Sequence, residues 1–243
     1  SMQGVGIFAI DPAMVVALVD ETDVGVAWLV RMAALLVTAV AAFRIARSPV
    51  AATIIVAVAG AVALATLVWS GHAGASEGTA GWIHRASDAL HMMAAAIWLG
   101  AIAGFLLMLR PGEPVAKDRL AMTARSLDRF APVGTLCVLL IAATGLVNGQ
   151  MIVGAENIGR SIASPYGQLL AIKLLLFAAM LALAAANRWR LTPALGRACD
   201  EPDTDPASAA RAMRRSLILE ALAGLAILAL VAWFGMLEPF NPA

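Results

Sequence analysis

Residues 71–100, GHAGASEGTAGWIHRASDALHMMAAAIWLG, join a polar, glycine-rich loop to an apolar segment that continues beyond them. The stretch contains all three histidines of the chain, together with one aspartate and two adjacent methionines. The sequence on either side consists mainly of long apolar runs, so soft and borderline metal ligands cluster in this one place. We therefore expect the other helices to hold this segment at one face of a membrane.

The composition is that of a membrane protein. Hydrophobic residues make up 61% of the chain and charged residues 14%, whereas soluble domains are closer to half apolar and a quarter charged. Apolar runs of about 20 residues recur, which is the length needed to cross about 30 Å of hydrocarbon. The alternating pattern of barrel strands is absent. The predicted fold is an all-α, polytopic membrane protein, a bundle of six transmembrane helices.

The spans follow from the apolar runs and from the charged or proline-containing breaks between them. The first 23 residues contain a short apolar segment interrupted by Asp11-Pro12, which favours a turn or a helix start and predicts a short interfacial helix. A loop is expected at 70–83, a charged connector with helical character at 113–129 and a polar loop at 188–215. Residues 1–243 are predicted to form a single transmembrane domain with spans at about 24–43, 50–69, 84–109, 130–151, 168–187 and 216–236.

The basic residues predict the orientation of the bundle, because Lys and Arg are enriched in cytoplasmic loops. The 44–47 turn and the loops at 110–129 and 188–215 lie on one side and hold 13 of the 17 Lys and Arg residues. The opposite side keeps Arg85 and Arg160. We expect a multi-pass protein of the bacterial inner membrane, with the histidine loop and both termini in the periplasm.

Three potential ligands share one face of the third span. On a helix that starts near Trp82, His84, Asp88 and His91 fall at positions i, i+4 and i+7. The two histidines are then about 10 Å apart along the axis, too far to share one ion easily with metal–nitrogen bonds of about 2.0 Å. A single site built from all three histidines would need a break in the helix near Ala86.

This spacing predicts a site with two levels. His72 and His84 form the outer level, and His91 with Met92 or Met93 forms the deeper one. The aspartate between the histidines can orient either imidazole. Imidazole suits Zn, Cu, Fe and Ni, while thioethers select Cu(I). The alternative is that these histidines pack between helices and that the methionines only fill apolar space.

Further polar and thioether side chains are candidates for a vestibule around this site or for charge pairing. Arg31 and Lys173 lie near the predicted depth of Asp88, and either could pair with it or extend to the membrane surface. Glu220 lies near the cytoplasmic end of its span, where Arg214 and Arg215 could compensate its charge. The vestibule candidates are Asn148, Gln150, Met151 and Met236. The alternative for Asn148 and Gln150 is that they only cap the helix.

Several segments resemble the CopD family of inner-membrane copper proteins. They are GHA in the loop, IHRASDALHMMAAAIWLG at 83–100, ATGLVNG at 143–149, YGQLLAIKLLLF at 166–177 and NRWRLTP at 187–193. The resemblance implies a helical membrane protein that moves or handles copper, often beside the periplasmic copper protein CopC. It places these residues on family-pattern positions: His72, His84, Asp88, His91, Tyr166, Lys173 and Asn187.

The function we predict is binding of copper, as Cu(I) or Cu(II), at the periplasmic face, with transport inward or transfer to a partner. No catalytic nucleophile or acid–base pair stands out, so no enzymatic activity is expected. The environment is membrane lipid, and no nucleic-acid partner is indicated. One alternative is a b-type haem electron carrier, although two of the three histidines share a helix. The other is a copper chaperone or sensor without transport.

Overall fold

The computed structural model describes residues 21–70, 78–110, 117–154, 164–201 and 205–234, together with residues 16, 19, 157 and 159. Within them the chain forms α-helices joined by short turns. A 3₁₀ turn at Thr66–Trp69 extends the second helix, and a π-helical turn at Asn187–Leu191 joins the fifth to the sixth. The helices are α1 (Asp23–Phe43), α2 (Pro49–Ala65), α3 (Gly78–Met108), α4 (Lys117–Ile152), α5 (Pro165–Ala186), α6 (Thr192–Asp200) and α7 (Pro206–Phe234).

Six helical segments in the described part of the chain are long and apolar enough to cross a membrane. Large apolar side chains are exposed along them, as is typical of helices surrounded by lipid rather than water. The predicted all-α, six-span membrane fold is therefore confirmed. Most of the predicted N-terminal interfacial helix lies outside the described residues.

Two segments predicted as connections are mainly helical. The charged connector joins the fourth span in one helix from Lys117, and the predicted polar loop contains the π-helical turn, α6 and the start of α7. Two prolines of the predicted polar loop lie in helices. Pro206 begins α7, where an N–H has no intrahelical partner, and Pro193 lies in the first turn of α6, directly after the π-helical turn. The helical parts of both segments are amphipathic. Each buries apolar side chains, which are Leu120 in α4, Leu195 in α6 and Met213 in α7.

The third span begins earlier than predicted. Helix α3 starts at Gly78, six residues before His84, so the C-terminal half of the expected 70–83 loop is helical. Gly81 is buried in this first part of the helix. The guanidinium of Arg85 lies 4.8 Å from the ring centroid of Trp82, a cation–π contact that stabilises the same turn. Gly78, Thr79 and Gly81 therefore belong to the first turns of a helix rather than to a loop.

The chain divides into two compact units, residues 1–93 and residues 94–243. In the first unit α1 packs along α2 and its 3₁₀ turn. Alanines fill the contact, which lets the two backbones approach closely, as is common between membrane helices. Those in α1 recur every seven residues, and the buried set is Ala27, Ala34, Ala41, Ala52, Ala59 and Ala63.

The second unit has an aromatic and aliphatic core. Edge-to-face pairs join Trp98 to Phe177 and Phe105 to Phe130, with centroids 6.2 Å and 5.7 Å apart. A Cβ added at Gly224 would lie 2.5 Å from the Leu99 side chain, so glycine permits this close packing. The single domain predicted for the whole chain stays a prediction.

Candidate functional site

The predicted ligands of the third span lie on one uninterrupted helix. Helix α3 is α-helical from Gly78 to Met108, so the break near Ala86 required by a single three-histidine site is absent from it. His84 is only 3% exposed, and Asp88 and His91 are half-buried. The axial separation of about 10 Å between the two histidines therefore stands.

The described residues contain no group of three or more His, Cys, Asp or Glu side chains placed to hold one metal ion. His84, Asp88 and His91 therefore do not converge on a shared centre. Met92 and Met93 are half-buried beside His91. His72 falls outside the described residues, so its pairing with His84 stays a prediction.

The vestibule candidates are spread over the ends of two helices. Tyr166 is buried in the first turn of α5, which Ser164 caps by accepting a hydrogen bond from the Gly167 N–H at 3.1 Å. Met236 lies outside the described residues. In the described part, Asn148 and Lys173 are half-buried, whereas Gln150 and Met151 are exposed.

Arg31 makes its hydrogen bonds inside the first unit. Its Nε donates to Thr66 Oγ1 at 2.9 Å, and its Nη2 donates to the Thr66 carbonyl at 2.9 Å and to Ser70 Oγ at 3.3 Å. A cationic side chain thus binds the carboxyl end of α2, where backbone carbonyls lack helical partners. The guanidinium fixes the 3₁₀ turn that leads into the histidine segment.

Glu220 is held by neutral groups rather than by the arginines predicted from the sequence. The side chain is 2% exposed, and its carboxylate accepts hydrogen bonds from Trp98 Nε1 and Asn187 Nδ2, both at 2.8 Å. The expected partners Arg214 and Arg215 precede it by six and five residues on α7. At about 100° per residue they occupy other faces of that helix.

Asn187 forms a polar cluster with Glu220 and Trp98. It follows Tyr166 by 21 residues of helix, or about 32 Å along the axis. Sequence analysis missed the cluster, although a lone glutamate in an apolar span is a recognisable signal of a functional group. The residues that bind it come from helices distant in sequence, and nothing local in the sequence indicates them.

Two family models match the chain: the copper resistance protein D-like N-terminal domain at residues 1–82 and copper resistance protein D at residues 124–234. A "Copper resistance protein D" from Pseudomonas syringae pv. tomato is 41% identical over 222 residues, which cover 91% of this chain and 71% of that protein. The chain belongs to the copper resistance protein D family.

Two further relatives are more distant. "Inner membrane protein YebZ" of Escherichia coli is 28% identical over 221 residues, which cover 90% of this chain and 70% of that protein. "Copper transport protein CutJ" of Bacillus subtilis is 34% identical over 100 residues, which cover 41% of this chain and 18% of that protein. No solved structure matches the chain.

Membership of the copper resistance protein D family confirms the resemblance found in the sequence. The chain is a copper-related, multi-pass membrane protein. His84, Asp88 and His91 lie between the two family-model matches, while Asn187 and Glu220 lie inside the second. Imidazoles and adjacent thioethers are the donors that suit copper, so the chemistry of α3 agrees with the family.

Proposed function

We propose that this protein binds copper through the histidine segment and carries it across the inner membrane or hands it to a partner. The observation that supports this most directly is His84, a 3%-exposed histidine on the same helix face as Asp88 and His91. Burying a titratable side chain in a membrane bundle is costly, and such residues usually serve ion or substrate pathways. The family relationship makes copper the cargo to test first.

The continuous helix supports two levels of binding. His84 captures copper together with His72 of the preceding loop, and His91 receives it about 10 Å further along the axis with a thioether from Met92 or Met93. Nitrogen donors accept either oxidation state of copper, whereas thioethers favour Cu(I). The deeper level is accordingly the better Cu(I) site.

Asp88 has a supporting role in this scheme. It lies one turn from His84 and just under one turn from His91, so its carboxylate can accept from the imidazole N–H that faces away from the metal. Such carboxylates fix the tautomer and orientation of a ligand histidine. Replacing Asp88 with asparagine should weaken copper affinity by about 10- to 100-fold without abolishing binding.

We also propose that the protein acts as a carrier rather than as an enzyme. The histidine loop then faces the periplasm, where a copper protein of the CopC type can supply the metal. The basic-residue distribution supports this orientation, since 13 of the 17 Lys and Arg residues belong to the opposite side.

Copper uptake into vesicles containing the purified protein tests the proposal. His84→Ala should reduce uptake mainly at low external copper, because capture fails. His91→Ala should abolish uptake while some surface binding remains. Ser87→Ala is the matched control, since Ser87 is buried one turn from His84 on the same helix. Copper binding without uptake by the wild type would contradict transport and leave a chaperone or sensor.

A further inference from the structure

The second unit contains a cavity whose lining includes the buried carboxyl group of Glu220. Its volume is about 420 Å³. The walls are mostly apolar, with Trp98, Phe105 and Phe130 among them, and the polar lining includes Asn187 and Arg188. The lining also includes the exposed residues Thr135 and Trp189, so the cavity reaches the surface of the unit.

One oxygen beside Glu220 has no hydrogen-bond partner among the described residues, the amide oxygen of Asn187. Both donors to its carboxylate, the Trp98 indole and the Asn187 amide, are neutral. The other atom of the same amide, Asn187 Oδ1, has no hydrogen-bond partner among the described residues, although the side chain is only 7% exposed. Asn187 Oδ1 is therefore available to accept a hydrogen bond beside the carboxylate.

Charge around the carboxylate is sparse. Among the described residues that line the cavity, Glu220 is the only charged one from α3, α4, α5, α6 and α7, and the π-helical turn adds Arg188. The Arg188 guanidinium is exposed and donates to Thr135 Oγ1 at 3.1 Å. An anion at Glu220 therefore rests on two neutral hydrogen bonds, which compensate only part of the cost of removing it from water.

Binding a proton relieves this cost and uses the spare acceptor. A protonated Glu220 gains one O–H donor. If the Asn187 amide turns over, its Oδ1 accepts from that O–H while the Trp98 indole continues to donate to the other carboxyl oxygen. In both protonation states the carboxyl group thus keeps two hydrogen bonds, one with Trp98 and one with Asn187, and the two states differ by the orientation of the Asn187 amide.

We propose that Glu220 is a proton-exchange site that takes up and releases a proton through this cavity, with Asn187 switching between donating and accepting. The inference goes beyond copper binding, and its test needs no copper. In a transporter, an intramembrane carboxyl group of this kind links cargo movement to proton movement.

Infrared difference spectroscopy of the metal-free, full-length protein provides the test. A pH titration from about 4 to about 9 brackets free and buried glutamic acids. The wild type should show a carboxylic acid C=O band that is lost as pH rises and that shifts in D₂O. The band should be missing from Glu220→Gln and retained in Glu201→Gln, which changes an exposed glutamate. Identical titrations for wild type and Glu220→Gln would overturn the proposal.

A second variant tests the hydrogen-bond switch without removing the carboxyl group. Trp98→Phe deletes a donor that favours the anion, so the midpoint of the band should move to higher pH by about one to two units. Trp233→Phe is the control, because Trp233 is exposed on the same helix as Glu220. An unchanged midpoint in Trp98→Phe, or an equal shift in both variants, would contradict a proton-exchange site at Glu220 that is tuned by the Trp98 hydrogen bond.

Discussion

Replacing Arg31 should loosen the first unit by removing the side chain that ties α1 to the end of α2. The guanidinium donates two hydrogen bonds of 2.9 Å to Thr66 and one of 3.3 Å to Ser70. Methionine fills a similar volume at position 31 without donating. The Thr66 hydroxyl and carbonyl oxygens then lose the charged donor that links them to α1.

The magnitude follows from the number and kind of these bonds. Side-chain hydrogen bonds in a membrane bundle average about 0.6 kcal/mol and reach about 1.7 kcal/mol, and a charged donor belongs to the upper part of this range. Two short bonds give about 2 kcal/mol for Arg31→Met. The longer bond to exposed Ser70 adds little, so Ser70→Ala should cost less than about 0.5 kcal/mol.

A double-mutant cycle isolates the contact. The free energies of unfolding of the wild type, Arg31→Met, Thr66→Val and the double variant are measured by denaturant titration in one detergent. We expect a coupling energy of about 1 kcal/mol between the two positions. Effects that add within about 0.3 kcal/mol would refute the contribution assigned to this contact.

Three other predictions concern topology, pH and the core. A cysteine introduced at Ser76 should react with an impermeant thiol reagent in spheroplasts while Cys199 does not, and the reverse labelling would contradict the proposed orientation. Copper affinity should fall as pH drops through about 6, because ligand imidazoles must be neutral and free histidine titrates near pH 6.5; a pH-independent affinity would point to thioether ligands alone. Leu195→Ala, at a 0% exposed position, should lower the free energy of unfolding by about 2–5 kcal/mol. Leu175→Ala, at a 71% exposed position, should cost far less, and equal losses would contradict the burial of Leu195.

The number and position of the spans follow from the sequence because each span is an apolar run with a charged or proline-containing end. The same rule placed some boundaries wrongly. Pro193 and Pro206 marked breaks in the sequence, yet both occupy first turns of helices. The charged connector predicted at 113–129 with helical character is helical from Lys117 and continues into the fourth span, because an amphipathic helix can project beyond the membrane while burying residues such as Leu120.

The sequence alone could not predict the hydrogen-bond partners of Glu220 and Arg31. In a soluble helix the apolar stripe indicates which face is buried. A membrane span is apolar on every side, so its rotation about its own axis is not encoded in that pattern. The contact between Glu220 and Trp98 joins residues 122 positions apart, and that between Arg31 and Thr66 joins residues 35 apart. The spacing of His84, Asp88 and His91 was predictable, because it depends on one helix alone.

Copper stoichiometry of the purified protein tests the central claim most directly. Wild type, His84→Ala, His91→Ala and the Ser87→Ala control are loaded under reducing conditions, freed of unbound copper and assayed for copper per chain. The two-level account predicts two copper ions for the wild type and the control, and one ion for each histidine variant. One ion per wild-type chain, lost completely on replacing either histidine, would contradict the account.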